Sequence, residues 1–153
     1  MAINAPVSKS AKNWILIYII GLIGFGVYCI YDGYFNESFI KEHTDKQGEP
    51  NSTLFFNQKS PPLFFIGAAL LGLRLFLIRN RRITAEDKDL VINDKLRIAY
   101  DSIQSIDKTD FEDKGIFTVF YDNAEKKQVK YKFDCQKYDN LKEILELLID
   151  KIT

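Results

Sequence analysis

Residues 62–82, PLFFIGAALLGLRLFLIRNRR, constrain this chain more than any other stretch. From position 62 to 78 the side chains are apolar except for Arg74, and Arg79, Arg81 and Arg82 come directly after. As a helix, that segment rises roughly 25 Å at about 1.5 Å per residue, enough to cross a hydrocarbon core. Guanidinium groups do not enter lipid with it, so the arginines mark the side on which the chain remains. The residues before it are expected to form a partner helix and its connection, and those after it a small domain held at the membrane.

The partner is residues 14–31, WILIYIIGLIGFGVYCIY, which carry no charge. A polar tail precedes them, residues 1–13, with Lys9 and Lys12. A signal peptide also begins basic, but its apolar core is shorter and ends in a small-residue cleavage pattern. This run ends in aromatic residues and has no such pattern, so it reads as a retained transmembrane helix. Trp14, Tyr28, Tyr31 and Tyr34 stand near its ends, where amphipathic rings favour the headgroup region. Residues 32–61 form a polar connection with Gly33, Gly48, Pro50 and Pro61. Two short runs there, SFIKEH and TLFFN, have the apolar side chains (Phe39, Ile40, Leu54, Phe55, Phe56) to lie along a membrane surface; an irregular loop is the alternative. Asn36 and Asn51 each begin an N-x-S/T pattern, which reads as coincidence.

Charge gives the orientation. The connection holds three lysines against five acids, whereas the basic residues nearest the helices are Lys9, Lys12, Arg79, Arg81 and Arg82. The positive-inside rule then places both termini in the cytoplasm of a multi-pass protein of the inner (plasma) membrane, with the connection periplasmic or extracellular in a bacterium. Arg74 admits two readings. It snorkels to the nearby cytoplasmic end, or it pairs with an acid on another subunit or lines an ion path. The first helix offers no acid, which favours snorkelling. Ala68 and Gly72, with Gly21 and Gly24, suggest close helix contact.

Residues 83–153 remain for a soluble domain, near the lower size limit for an independent core. They read as short strands: 90–93, 96–100, 103–111 with a weak alternation, 115–122 and 128–134. In the last, Val129, Tyr131 and Phe133 alternate with Lys130 and Lys132, the period of a strand with one wet face. From Asn140 onward Leu141, Ile144, Leu145, Leu148 and Ile152 form one stripe of an amphipathic helix, and Asn140 with Glu143 gives a capping-box-like start. The expected architecture is an α+β membrane protein: a two-helix transmembrane hairpin (14–31 and 62–78), then a small antiparallel sheet domain (83–153) closed by its C-terminal helix.

The strands-then-helix order, and RIAYDSIQSID in particular, resembles the bacterial pleckstrin-homology-like domains of small two-helix membrane proteins. Ile98, Tyr100, Ile103 and Ile106 match an I-x-aromatic-x-x-I-x-x-I pattern in which many relatives have Trp in place of Tyr. Lys114, Gly115 and Phe117 match the strand start that comes next in those domains. The resemblance implies a fold and hardly any chemistry.

Reactive constellations are missing from the sequence. The single histidine, His43, lies in the connection and reads as a solvated side chain; no nucleophile elbow, zinc motif, C-x-x-C or phosphate loop occurs. The acidic groups 86–89 and 110–113 lack the spacing of a calcium loop and read as solvated turns. No catalytic residue, cofactor or metal ligand is expected. Zero formal net charge gives no argument for nucleic acid, and Cys29 and Cys135 are badly placed to pair. In eukaryotic pleckstrin-homology domains, headgroup recognition needs basic residues between the first two strands. If residues 83–85 are the first strand, that loop is Glu86-Asp87-Lys88-Asp89 and would repel phosphate. Candidate membrane or partner contacts are Arg74, Arg79, Arg81, Arg82, Lys126, Lys127, Lys130 and Lys132. Two functions are open on these grounds: a non-catalytic anchored scaffold or adaptor for a membrane complex or for copies of itself, and a lipid-sensing or transport-accessory protein acting through Arg74 and the hairpin lysines.

Overall fold

Both apolar runs are helical. Helix α1 spans Lys9–Ile30 and continues through one π-helical turn, Tyr31–Phe35. Helix α4 spans Pro61–Ile78, with proline at its first position, where a missing N–H costs nothing. Each is long and apolar enough to cross a membrane. In this computed structural model, which describes residues 2–152, the chain divides into two units: Asn13–Phe76, and the residues up to Lys12 together with those from Leu77 onward.

Within the helical unit, α1 buries Gly26 and Cys29, and α4 buries Ala68. A Cβ on Gly26 would stand 3.2 Å from the Phe65 ring, and Phe25 packs edge-on against Phe64. Of the small residues expected at a close helix contact, Ala68 is buried, whereas Gly21, Gly24 and Gly72 have no neighbour within 4 Å of a built Cβ. Other positions on α4 face outward. Leu63 and Leu70 are 69% and 62% exposed.

The connection is not an irregular loop. It folds into helices α2 (Glu37–Glu42) and α3 (Ser52–Lys59). Asn36 accepts from the Phe39 amide, and Asn51 from those of Thr53 and Leu54, so both N-x-S/T asparagines are helix N-caps. Gly33 lies so close to α3 that a Cβ would sit 3.1 Å from the Asn57 backbone. Gln58 donates to the Gly33 carbonyl, and Tyr34 donates to that of Gln58. Of the side chains expected to dip into a membrane surface, Phe55 and Phe56 are exposed, but Leu54 is buried in the unit's own interior.

Among its described residues the other unit holds seven strands in two antiparallel sheets. The first sheet is β1 (Ile3–Pro6), β2 (Arg82–Ala85), β3 (Asp89–Ile92) and β4 (Leu96–Ala99), paired in that order. The second is β5 (Ile103–Asp107), β6 (Ile116–Asp122) and β7 (Gln128–Asp134). Helix α6, Leu141–Ile152, buries Leu141, Ile144, Leu145 and Leu148 in a core with Ile83, Leu90, Ile98, Phe117 and Phe133. The stripe expected of this helix is the face it buries, except that Ile152 at its last position stays exposed.

Three expectations are corrected by this fold. The N-terminal segment contributes a strand: Ile3, Asn4, Ala5 and Pro6 pair with Ala85, Thr84, Ile83 and Arg82. Its other edge is closed by the segment ahead of α6, where the Ser8 amide donates to Lys137 O and the Asp139 amide to Pro6 O. Residues 83–85 are therefore a second strand, and the helical unit is inserted between β1 and β2. Strand β5 stops at Asp107, and Phe111–Lys114 form the short helix α5, ended by Gly115 at φ 67°, a conformation that favours glycine. Finally, Asn140 sits at φ 61°, not the extended geometry of an N-cap. Its side-chain amide donates to the Asn4 carbonyl, tying the start of α6 to β1.

Candidate functional site

The candidate cations fall into three places. Arg74 is exposed on α4, on the same open surface as Leu70 and Leu73. Among the described residues no carboxylate is within ion-pair distance of it.

The three arginines after α4 belong to the β domain. The helix ends as the Arg81 amide donates to Ile78 O, and Arg81 O accepts from the Val7 amide. Arg82 opens β2 opposite Pro6. Arg79, Arg81 and Arg82 line a cleft of about 420 Å³ with Asn4, Asn80 and Asp94. A second hollow of about 520 Å³ shares Asn80, Arg81 and Asp94 and adds Leu77, Asn93 and Lys95. Among the described residues that line these hollows the carboxylate is Asp94, which lies 3.4 Å from the Arg82 guanidinium, with both groups largely exposed. Such a pair contributes under about 1 kcal/mol in water. Asn93 and Asp94 form the β3–β4 turn in left-handed conformation, φ 52° and 56°, and the Asn93 amide donates to Arg82 O at 2.7 Å. The Asn93 carboxamide oxygen is buried without a partner.

The hairpin lysines do not form one cluster. Lys127 pairs with Glu125 at 2.8 Å, and Lys126 sits in the turn at φ 57°. Lys130 and Lys132 lie on the outer face of β7, opposite Phe120 and Thr118. Asp107, Asp110, Ile116 and Thr118 share a shallow hollow of about 320 Å³ with them. Two carboxylates beside two ammonium groups leave no strong field for an anion. The Asp107 carboxyl is itself held below the usual range by hydrogen bonds from Thr109.

The remaining singled-out groups have structural roles. His43 is half-buried rather than free in solvent: its ring stacks on Phe39 at 4.0 Å, and Nδ1 lies 2.9 Å from Phe39 O at the end of α2. Glu86 and Asp89 both face Arg97, at 3.2 and 3.5 Å, and Asp110 pairs with Lys114 at 2.7 Å. Among the described residues no three side chains are grouped to hold a metal. Cys29 and Cys135 are free thiols in different units, and burial raises the pKa of Cys135. The four residues matched in RIAYDSIQSID are core positions: Ile98 and Tyr100 are buried, and Ile103 and Ile106 pack against them. Tyr100 turns the chain from the first sheet to the second and donates to Glu86 O at 2.7 Å. Burial, with Asp89, Asp87 and Glu86 nearby, pushes its phenol up to about 12.

The arginine cleft includes residues that the sequence did not mark. Asn4 arrives on β1, and Asn80 and Asp94 come from the turn after α4 and the β3–β4 turn. The only signal for β1 was the alternation of Ile3, Ala5 and Val7, short and interrupted by Pro6. Comparison with protein-family models, with curated proteins and with solved structures returned no match.

Proposed function

We propose that this chain is a non-catalytic, membrane-anchored scaffold whose β domain, of pleckstrin-homology-like build, is presented to a partner membrane complex or to further copies of itself. In this reading α1 and α4 are the two spans of a hairpin, and both termini lie in the cytoplasm of a bacterial cell. The observation that carries it is the pairing of β1 with β2, register Pro6↔Arg82. Two residues separate Pro6 from α1, and three separate α4 from Arg82. A chain that enters and leaves a hairpin from paired strands of one sheet has both ends on one side, which agrees with the arginine and lysine count.

The second reading, a transport-accessory or lipid-sensing role, is favoured by Arg74, which stands exposed in an apolar surface without an acid partner among the described residues. Purification of the full chain in mild detergent, with the mass and composition of the intact particle, tests the scaffold. A stoichiometric partner or a defined homo-oligomer is expected. A bare monomer refutes it. Alkaline carbonate extraction tests the anchor separately, and release of the chain into the soluble fraction refutes the hairpin.

A further inference from the structure

We infer that the outer edge of β7 docks an extended segment of a partner protein in which acidic residues alternate with apolar ones. The inference deepens the scaffold reading and rests on it. Among the described residues β7 pairs with β6 and with no other strand. The Cys135 amide donates to Gly115 O and the Asn123 amide to Lys127 O, at the two ends of an unbroken register from Ile116↔Asp134 to Asp122↔Gln128. In an antiparallel ladder such hydrogen-bonded pairs recur at every second residue. Val129, Tyr131 and Phe133 therefore turn their backbone groups to β6, and Gln128, Lys130 and Lys132 turn theirs outward. Among the described residues no loop or strand hydrogen-bonds to the backbone of these three from the outer side. The other edges are blunted. Residues 137–139 cover β1, β4 has only four residues, and a bulge at Gln104 breaks β5. Strand β7 offers seven residues in regular register, the kind of edge to which a further strand adds.

Charge selects the occupant. Lys130 and Lys132 are exposed and have no ion pair among the described residues. The β7 strand of a second copy, paired antiparallel about either lysine or midway between them, sets lysine opposite lysine, which destabilises. A strand with acids at alternate positions reverses that sign. Its carboxylates stand one strand spacing away, about 4.8 Å, whereas Asp107 lies on β5, beyond β6, at about twice that distance. The acids of the neighbouring hollow are also engaged already, Asp107 by Thr109 and Asp110 by Lys114. The apolar half of the pattern comes from the other face. Val129 and Tyr131 are only half-buried at the margin of the core. Successive side chains of a strand point to opposite faces, so the residues between the acids cover these two.

The test uses the full chain in mild detergent and a capped heptapeptide of alternating glutamate and valine, with hydrogen exchange read amide by amide along β7. Without peptide, the Lys130 and Lys132 amides should exchange about tenfold faster than those of Val129 and Tyr131, or more. The peptide should slow them saturably. Lys130→Glu/Lys132→Glu should weaken its binding about tenfold, and so should lysine in place of glutamate in the peptide. A peptide N-methylated on the amides that face β7 should not bind. A peptide that leaves the two amides unprotected overturns the inference, as does binding that ignores either the charge reversals or the N-methylation. Slow exchange of the same amides in a homo-oligomer, before any peptide is added, reassigns the edge to a second copy and also overturns it. A particle that holds a stoichiometric partner while both amides still exchange freely refutes only this inference, whereas a bare monomer refutes the scaffold beneath it.

Discussion

Ala5→Asp is the sharpest test of the inserted topology. Ala5 is fully buried, pairs with Ile83 and belongs to the core of the β domain. A carboxylate there loses its hydration and finds no cation, since the neighbouring core side chains are apolar. An uncompensated buried charge costs about 3–5 kcal/mol, and a small domain has only about 5–15 kcal/mol to lose. Asn4→Ala, on the exposed face of the same strand, should stay within about 0.5 kcal/mol. The assay is hydrogen exchange by mass spectrometry on the full chain in detergent, read at the amides of β2, β3 and α6. A loss of about 3 kcal/mol corresponds to exchange about a hundredfold faster, and peptides from residues 13–76 give a separate internal reference. If exchange in β2 and β3 stays within about threefold of the parent, residues 3–6 are not part of this core. The two-sheet account of the domain then fails at its first strand.

Other perturbations test single contacts. The Tyr100 phenol, raised to about 12 in the folded chain, ionises near 10 when unfolded. Its contribution is therefore intact below pH 10 and lost as pH climbs from about 10 to 12. Tyr100→Phe should flatten that alkaline decline in a urea-melt series, and an unchanged slope refutes the burial argument. Gly33→Ala places a methyl 3.1 Å from the Asn57 backbone, which cannot swing aside as a side chain can, at a cost of about 1–3 kcal/mol. Gly21→Ala meets nothing and should be neutral or slightly stabilising; equal melting of the two variants in detergent contradicts the packing described. Arg74→Leu should preserve membrane insertion and particle composition if the guanidinium only reaches for the interface. Loss of a co-purifying partner in that variant establishes a charge-dependent role instead.

How much of the fold was legible in the sequence depends on whether a signal was local. The stripe Leu141, Ile144, Leu145 and Leu148 needed only the helical period, and the helix buries it as read. Strand β5 shows why its alternation looked weak. Ile103 pairs with Tyr121, Ser105 with Phe120, and Gln104 is the extra residue of a bulge. The bulge resets the period, so Ile103 and Ile106, three apart, both face the core. No pattern of period two contains that pair. The connecting helices were harder still. Asn36 and Asn51 are ordinary cap residues, but the segments they start are six and eight residues long and persist through contacts such as Gly33 against Asn57, which no window of sequence displays. The arginine cleft was half visible. Its cations were marked by position, whereas Asn4 reaches it only through strand pairing across half the chain, and Asp94 through the β3–β4 turn.

The strand count changes the case for a lipid ligand. Counting from residue 83 made Glu86–Asp89 the loop between the first two strands, and an acidic loop there spoke against an anionic ligand. With Ile3–Pro6 as β1, the acidic turn joins β2 to β3, where Glu86 and Asp89 hold Arg97 on β4. Its charge is then structural and bears on no ligand. The connection from the first strand to the second is the helical unit itself, and its two stems carry Lys9 and Lys12 on one side and Arg79 and Arg81 on the other. The register Pro6↔Arg82 brings residues near the N-terminus beside residues from the middle of the sequence. Closing so long an insertion costs little more than closing a short one, about 0.6 kcal/mol for each doubling of length. Four paired residues and a buried Ala5 are enough to offset that, so a strand far away in sequence can complete the sheet without a strong local signal of its own.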